Sequence, residues 1–227
     1  MCPIGPAALI YPTVWCFTDI LHHDTYPEID PISQSGSLGK AVLVTGANRG
    51  LGKAFVIAYA KSGASHIAIG TRSDASDVVA AVLDAAKDAK REVPVVVQVK
   101  IDVCEQASID AAVDEVQKEF GRLDILVNNS GFMGPSVLML DQPSDITLHT
   151  WDVNFLGPYR VTRAFLPLML RDGEKTIVFI TSVGAQIVAA QTLAYSVSKF
   201  ALCRLAEFID IEYGEQVLVT IATPSEH

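Results

Sequence analysis

KAVLVTGANRGLGKAF, residues 40–55, decides how the rest of the chain is read. Ala41 to Val44, closed by Thr45, is a short unbroken apolar run, the pattern of a strand buried on both faces. Gly46, Gly50 and Gly52 follow, and from Lys53 to Gly63 the sequence is Ala-rich and helical in texture. Strand, glycine turn and helix start, in that order, are the context a nucleotide-binding turn requires. Gly46 takes the tight turn. Gly50 lets the backbone approach a pyrophosphate with no Cβ in the way, and Gly52 lets the helix pack closely on the strand. Backbone N–H groups along Asn48, Arg49 and Leu51, at the helix start, then face the phosphates. Three glycines alone fit an ordinary strand-to-helix turn equally well, so the surrounding sequence has to decide.

Outward from this stretch the same alternation repeats. HIAIG (66–70), PVVVQVKI (94–101), DILVNN (124–129), TIVFITS (176–182) and VLVTIAT (217–223) read as strands. DVVAAVLDAAKDAK (77–90), QASIDAAVDEVQKEFG (106–121), TWDVNFLGPYRVTRAFLPLML (150–170) and AYSVSKFALCRLAEFIDIEYG (194–214) read as helices. Pro158 is tolerated only near a helix start or at a kink. The alternation predicts an α/β fold, a Rossmann-type doubly wound parallel sheet of six strands with helices on both faces. Residues 40–227 form this domain. Residues 1–39 carry Pro3, Pro6, Pro12, Pro27 and Pro31 without sustained periodicity, and read as an N-terminal arm that lies on the domain or is partly disordered.

Composition narrows the function. The 227 residues are 50% hydrophobic and 19% charged, enough for a full core and too apolar for disorder over most of the length. Acids outnumber bases, 26 to 17, for a net charge of −9 without any basic run, which argues against nucleic acid and anionic membrane as partners. No apolar stretch approaches the roughly 20 residues of a membrane span. The first basic residue is Lys40, so the early positive charge of a signal peptide or presequence is not there. Cys2, Cys16, Cys104 and Cys203 are far apart and match no metal-ligand spacing. Reduced thiols, a cytoplasmic setting and no metal are expected, with His22 and His23 an exposed loop pair rather than ligands.

The glycine spacing is GxxxGxG within Thr45 to Gly52, and here the chain resembles the short-chain dehydrogenase/reductase family. Asn128-Asn129-Ser130-Gly131 after the fourth strand resembles that family's NNAG segment, with Ser130 in place of Ala, and the resemblance implies Asn129 as a cofactor-binding residue. The family's catalytic Asn, Ser, Tyr and Lys match Asn154 within Asp-Val-Asn, Ser182 after the fifth strand, and Tyr195 with Lys199 as YxxxK, 13 residues after Ser182. The resemblance covers about residues 38–224 in the expected order. It implies that Tyr195 passes a proton to or from a substrate oxygen while Ser182 hydrogen-bonds that oxygen. It also implies that Lys199 holds the nicotinamide ribose and eases formation of the phenolate, and that Asn154 keeps a water in the proton relay. A phenol is a poor base at neutral pH, hence the need for a neighbouring cation. The residues themselves agree in part. Tyr195 and Lys199 share one stripe of a helix that is apolar elsewhere, and Ser182 ends a strand on the edge where open parallel sheets bind ligands. Asn154 satisfying helix backbone is the open alternative.

The second strand ends Gly70-Thr71-Arg72-Ser73. An acid there would bind the ribose hydroxyls of NAD. Instead Arg72, together with Arg49, resembles the residues that NADP-preferring members use on the 2′-phosphate, a task suited to the fixed donor fork of Arg. NADP(H) is therefore the cofactor the resemblance implies. Asp74 reads as a cap of the next helix. Asp102-Val103 resembles the adenine-contacting pair after the third strand, and a helix N-cap is the alternative. The implied activity is interconversion of an alcohol and a ketone or aldehyde on a small molecule. Pairing through helices 150–170 and 194–214 into a homodimer or homotetramer is implied as well. Family members continue past the sixth strand into a Pro-Gly segment, a cofactor-contacting Thr, a substrate lid and a seventh strand, where this sequence reads Thr223-Pro224-Ser225-Glu226-His227. The alternative expectation is accordingly a shortened dinucleotide-binding or interaction protein with little turnover. DTYPEIDP (24–31) looks like the arm of fungal members, which often serve secondary metabolism.

Overall fold

The computed structural model describes residues 27–33, 36–171 and 173–224. Among these residues are six strands: β1 (Ala41–Thr45), β2 (His66–Thr71), β3 (Val95–Lys100), β4 (Ile125–Asn128), β5 (Lys175–Ile180) and β6 (Val217–Ala222). All adjacent pairs are parallel, in the order β3-β2-β1-β4-β5-β6. The order reverses direction between β1 and β4, which leaves a crevice at the carboxyl ends of those two strands. Every residue of β1 is buried, because helices cover both faces of the centre.

Side chains alternate between two cores, as the two-residue period of a strand requires. Val42 and Val44 join Ile67 and Ile69 under α1 (Gly50–Ser62) and α2 (Ser76–Asp88), against Val56, Val78 and Val82. Leu43 points the other way and joins Leu126, Ile177 and Phe179 under α3 (Gln106–Phe120), α5 (Gly157–Met169) and α6 (Leu193–Tyr213), against Val116, Phe165 and Leu202. Gly63 and Gly121 end α1 and α3 in the left-handed conformation, at φ 87° and 70°, which a residue without Cβ adopts freely.

The expected single helix over 150–170 is corrected by the structure. Helix starts earlier, as α4 (Ser144–Trp151), passes through one π-helical turn at Asp152–Leu156, and resumes as α5 with Pro158 in its first turn. Pro158 has no N–H to give and its ring needs space, so a break just before it is where it does least harm. A salt bridge from Arg160 Nη1 to Asp152 Oδ1, 2.6 Å, spans the widened turn. The short α4 was not anticipated. It is weakly amphipathic and stands by packing against α6.

The arm falls mostly outside the described residues, together with Cys2, Cys16, His22 and His23. Its described part lies on the domain, away from the crevice. Arg91 donates to the carbonyl of Ile32, and Arg122 to that of Gly39. Beside them, at the amino ends of the strands, Asp124 accepts from the N–H of Ala41 at 2.8 Å and from Lys175 Nζ at 2.7 Å, tying β1, β4 and β5 together. Among the described residues no helix is long and apolar enough to cross a membrane, and no group of three or more His, Cys, Asp or Glu could hold a metal ion.

Candidate active site

The crevice is a cleft of about 740 Å³ along the carboxyl edge of the sheet. At one end stand Arg72 and Asp102, beyond β2 and β3. The glycine turn beyond β1 and the Asn129–Met133 segment beyond β4 form its middle. Ser182, Tyr195, Lys199 and Pro224 close the other end, beyond β5 and β6.

The glycine turn has little freedom in what it accepts. Gly46 and Gly50 both have positive φ, 64° and 55°. A Cβ on Gly52 would stand 2.3 Å from the carbonyl oxygen of Gly46, inside any van der Waals contact, so α1 approaches the turn only because Gly52 has none. A Cβ on Gly50 would meet nothing within 4 Å, so that residue faces open space. No side chain caps the N-terminus of α1 at Arg49, which leaves backbone donors directed at the cleft. Such a cradle, with Gly46, Asn48, Arg49, Gly50, Leu51 and Gly52 along the wall, fits a pyrophosphate. Asn129 holds the cradle rigid. Its Nδ2 donates to the carbonyls of Thr45 and Gly46 at 2.8 and 3.2 Å, and its N–H donates to Thr45 Oγ1 at 3.0 Å. Its amide is therefore committed to bracing the turn.

At the adenosine end Arg72 is 70% exposed, with Nη1 3.8 Å from Asp102 Oδ2. Asn48 Nδ2 donates to Ser73 Oγ at 3.4 Å, so the turn and the end of β2 make one wall. Asp102 also accepts from the N–H of Cys104 at 3.0 Å, while Val103 sits beneath, against Gly157. Asp74, expected as a helix cap, stands one residue before the N-cap position, Ala75, and accepts from the N–H and hydroxyl of Ser76, the first residue of α2.

At the opposite end Ser182 leaves β5 in extended conformation, its Oγ accepting from the N–H of Gly184 at 3.1 Å. Gly184 lies between the two hydroxyl-bearing residues: a Cβ there would be 3.4 Å from Ser182 Oγ and 3.7 Å from Tyr195 Cε1. Lys199, one turn after Tyr195 on α6, is 4% exposed. Its Nζ donates to the carbonyl of Ile180 at 2.8 Å and lies 5.9 Å from the centre of the Tyr195 ring. Burial lowers its pKa to about 8. Asn154 is brought beside Lys199 but behind the cleft wall, fully buried in the π-helical turn. Its Oδ1 accepts from the N–H of Phe132 at 2.7 Å, and its Nδ2 donates to the Phe132 carbonyl and to Ser198 Oγ at 2.8 and 3.0 Å. The side chain thus satisfies the backbone of the chain after β4 and not that of its own helix. Phe132, Met133, His149 and Val153 also line the cleft and were not singled out from sequence. His149 and Val153 stand four apart, and that spacing next to the motif was the available signal.

Residues 40–226 match the family described as short chain dehydrogenase. The chain belongs to that family. This short-chain dehydrogenase is 41% identical over 217 residues to the short chain dehydrogenase pigC of Monascus ruber, which covers 96% of this chain and 71% of that protein. Its fold matches that of carveol dehydrogenase from Mycobacterium avium in complex with NAD, at TM-score 0.74 and 25% identity over 83% of this chain and 71% of that one. An alcohol dehydrogenase from Thermococcus sibiricus complexed with 5-hydroxy-NADP gives TM-score 0.72 and 26% identity, over 82% and 75% of the two chains. Both kinds of nicotinamide cofactor thus occur among the structural neighbours of this short-chain dehydrogenase. Membership in an oxidoreductase family with a relative of this similarity gives no support to the expectation of a binding protein with little turnover.

Proposed function

We propose that this oxidoreductase interconverts an alcohol and a ketone or aldehyde with NADP(H), Tyr195 serving as the acid and base. The observation that carries the reading is convergence: Ser182, Tyr195 and Lys199 stand in one end of the cleft whose middle is the glycine cradle. When bound, the nicotinamide supplies or accepts the hydride. The chain's own residues do the rest. The α1 amides hold the pyrophosphate, and Arg72 and Arg49 take the 2′-phosphate, with Asp102 and Val103 against the adenine. Ser182 Oγ orients the substrate oxygen. Tyr195 delivers or removes the proton on that oxygen, helped by the Lys199 cation. Asn154 contributes by fixing the Phe132 backbone and Ser198 around Lys199, a positioning role.

A cytoplasmic setting belongs to the same proposal, supported by the free thiols of Cys104 and Cys203. So does pairing of copies through α5 and α6, whose Tyr159, Phe200, Phe208 and Ile211 are exposed. Light scattering at micromolar concentration tests it, and a monomer there refutes it. A biosynthetic role in a fungus is supported by the Monascus relative. The deciding experiment is Tyr195→Phe, which removes only the hydroxyl. Cofactor affinity should stay within about twofold while turnover falls by the roughly 100-fold or more that a positioned acid–base group supplies. Turnover equal to the parent's would refute the assignment.

A further inference from the structure

We infer that the substrate end of this cleft selects a neutral carbonyl compound with an apolar body and rejects carboxylates. The inference rests on the proposed reaction at Tyr195 and adds the class of compound that reaches it.

Two segments contribute to that end. The first, from Gly131 into α4, does so through Gly131, Phe132, Met133 and His149, and the second, from Ser182 to Tyr195, through its two end residues. Packing of α4 on α6 brings both to the same side of the cleft. Their charges are one-sided. No Lys or Arg occurs between Arg122 and Arg160, or between Lys175 and Lys199. The first segment holds two acids, Asp141 and Asp145, and residues 181–194 hold no charged side chain at all. The ammonium of Lys199 is buried and already donates to the Ile180 carbonyl. Arg72 lies at the far, adenosine end and Arg49 in the glycine turn at the middle of the cleft, neither of them in this wall. A substrate anion would therefore lose water and gain no cation from this wall.

An apolar body gains where an anion loses. Phe132, Met133 and Val153 line the cleft. Met133 is 54% exposed. Apolar side chains lining a cleft favour an occupant with apolar surface of its own. His149, set edge-on to Phe132 with ring centroids 4.8 Å apart, is the polar side chain of this wall that a substrate hydroxyl or second carbonyl could address.

The test is a panel of keto-acids and their methyl esters, straight-chain, aryl and bicyclic, matched in carbon skeleton. Binding is titrated calorimetrically to the protein saturated with a tetrahydro analogue of the reduced cofactor, whose ring is neutral and transfers no hydride, and turnover is followed with reduced cofactor. The esters should bind at least about tenfold more tightly than the acids, and Met133→Lys should close that gap by placing a cation in the wall. Equal binding of acid and ester, preference for the acids, or binding of neither overturns the inference even if turnover is seen. Ester-selective binding without turnover of any pair overturns the proposed reaction and leaves the selectivity standing.

Discussion

Lys199 is held as a cation in a place that opposes cations. Burial brings its pKa down from 10.5 to about 8, so it keeps its charge at neutral pH at a cost to the fold. Between about pH 8 and 10.5 the unfolded chain binds a proton that the folded chain does not, so this group's contribution to stability rises with pH across that window. Below about pH 8 both states are protonated and the whole penalty stands, about 3 kcal/mol at 1.36 per pH unit. Lys199→Met removes the penalty and loses one hydrogen bond to Ile180, worth about 1 kcal/mol. The variant, inactive on the proposed mechanism, should melt at or above the parent's temperature at pH 7, and its advantage should shrink by pH 10. A lower melting temperature at pH 7 would contradict this. Arg72 makes the second prediction at this scale. Arg72→Ala should weaken NADPH binding about 10- to 100-fold, the loss of one charge-assisted contact, and leave NADH nearly unchanged. Titration of both cofactors measures it, and equal losses would remove the basis for preferring NADP(H). That Arg72, Ser182, Tyr195 and Lys199 stand along one cleft was legible, because motif spacing and strand ends place them. The work of Asn129 and Asn154 was not legible. Their partners, Thr45 and Phe132, are 84 and 22 positions away, and only the sheet and the loop after β4 bring them together.

Among the elements, strands and the helices between them followed from apolar runs and glycine stops, because the central strands bury both faces and each helix one, and both patterns show in sequence. The glycine turn was equally legible, and it carries a prediction. Gly52→Ala would put a methyl 2.3 Å from the Gly46 carbonyl, with Ala47 Cα and Asn129 Nδ2 within 3 Å. Backbone cannot yield there without moving α1, so the variant should lose about 1–3 kcal/mol of stability and most of its cofactor affinity. Denaturant melts and cofactor titration report both, and an unaltered affinity would show that the close approach is dispensable. The split between α4 and α5 was missed for a physical reason. Buried Val153, Gly157, Val161 and Phe165 step by four, a spacing that drifts around an α-helix and stays on one face only if one turn is wider. The π-helical turn supplies the extra residue. Gly157 then lets it sit against Val103, where a Cβ would be 2.8 Å from Val103 Cγ2. Eight-residue α4 was hidden because so short a helix depends on tertiary packing more than on its own pattern.

At the scale of the molecule, the two ends of the sheet have different tasks. The carboxyl edge is open and built for a ligand, and the amino edge is locked around Asp124. Burial by itself would push that carboxyl up. The Lys175 ammonium and the Ala41 N–H outweigh it and hold the pKa below the ordinary carboxylate value. Its contribution to stability is therefore complete above the ordinary carboxylate range and is lost as pH falls through the lowered folded value. Asp124→Asn should cost about 3–5 kcal/mol at pH 7 and flatten the acid limb of the stability curve, since a charge opposite buried Lys175 is gone. Melts from pH 7 to pH 3 measure it, and parallel curves for parent and variant would refute it. The alternation of strands and helices foretold both edges but not this lock, whose members come from β1, the start of β4 and β5. The open edge has its own consequence. Its walls are drawn from chain positions as far apart as Gly46 and Pro224, so a dinucleotide lying along it joins both halves of the sheet at once. Occupancy then acts as a removable cross-link: the loops after β4 and β5, which have no strand neighbours of their own, gain a partner in the ligand, and the lifetime of the intact fold becomes a function of cofactor supply.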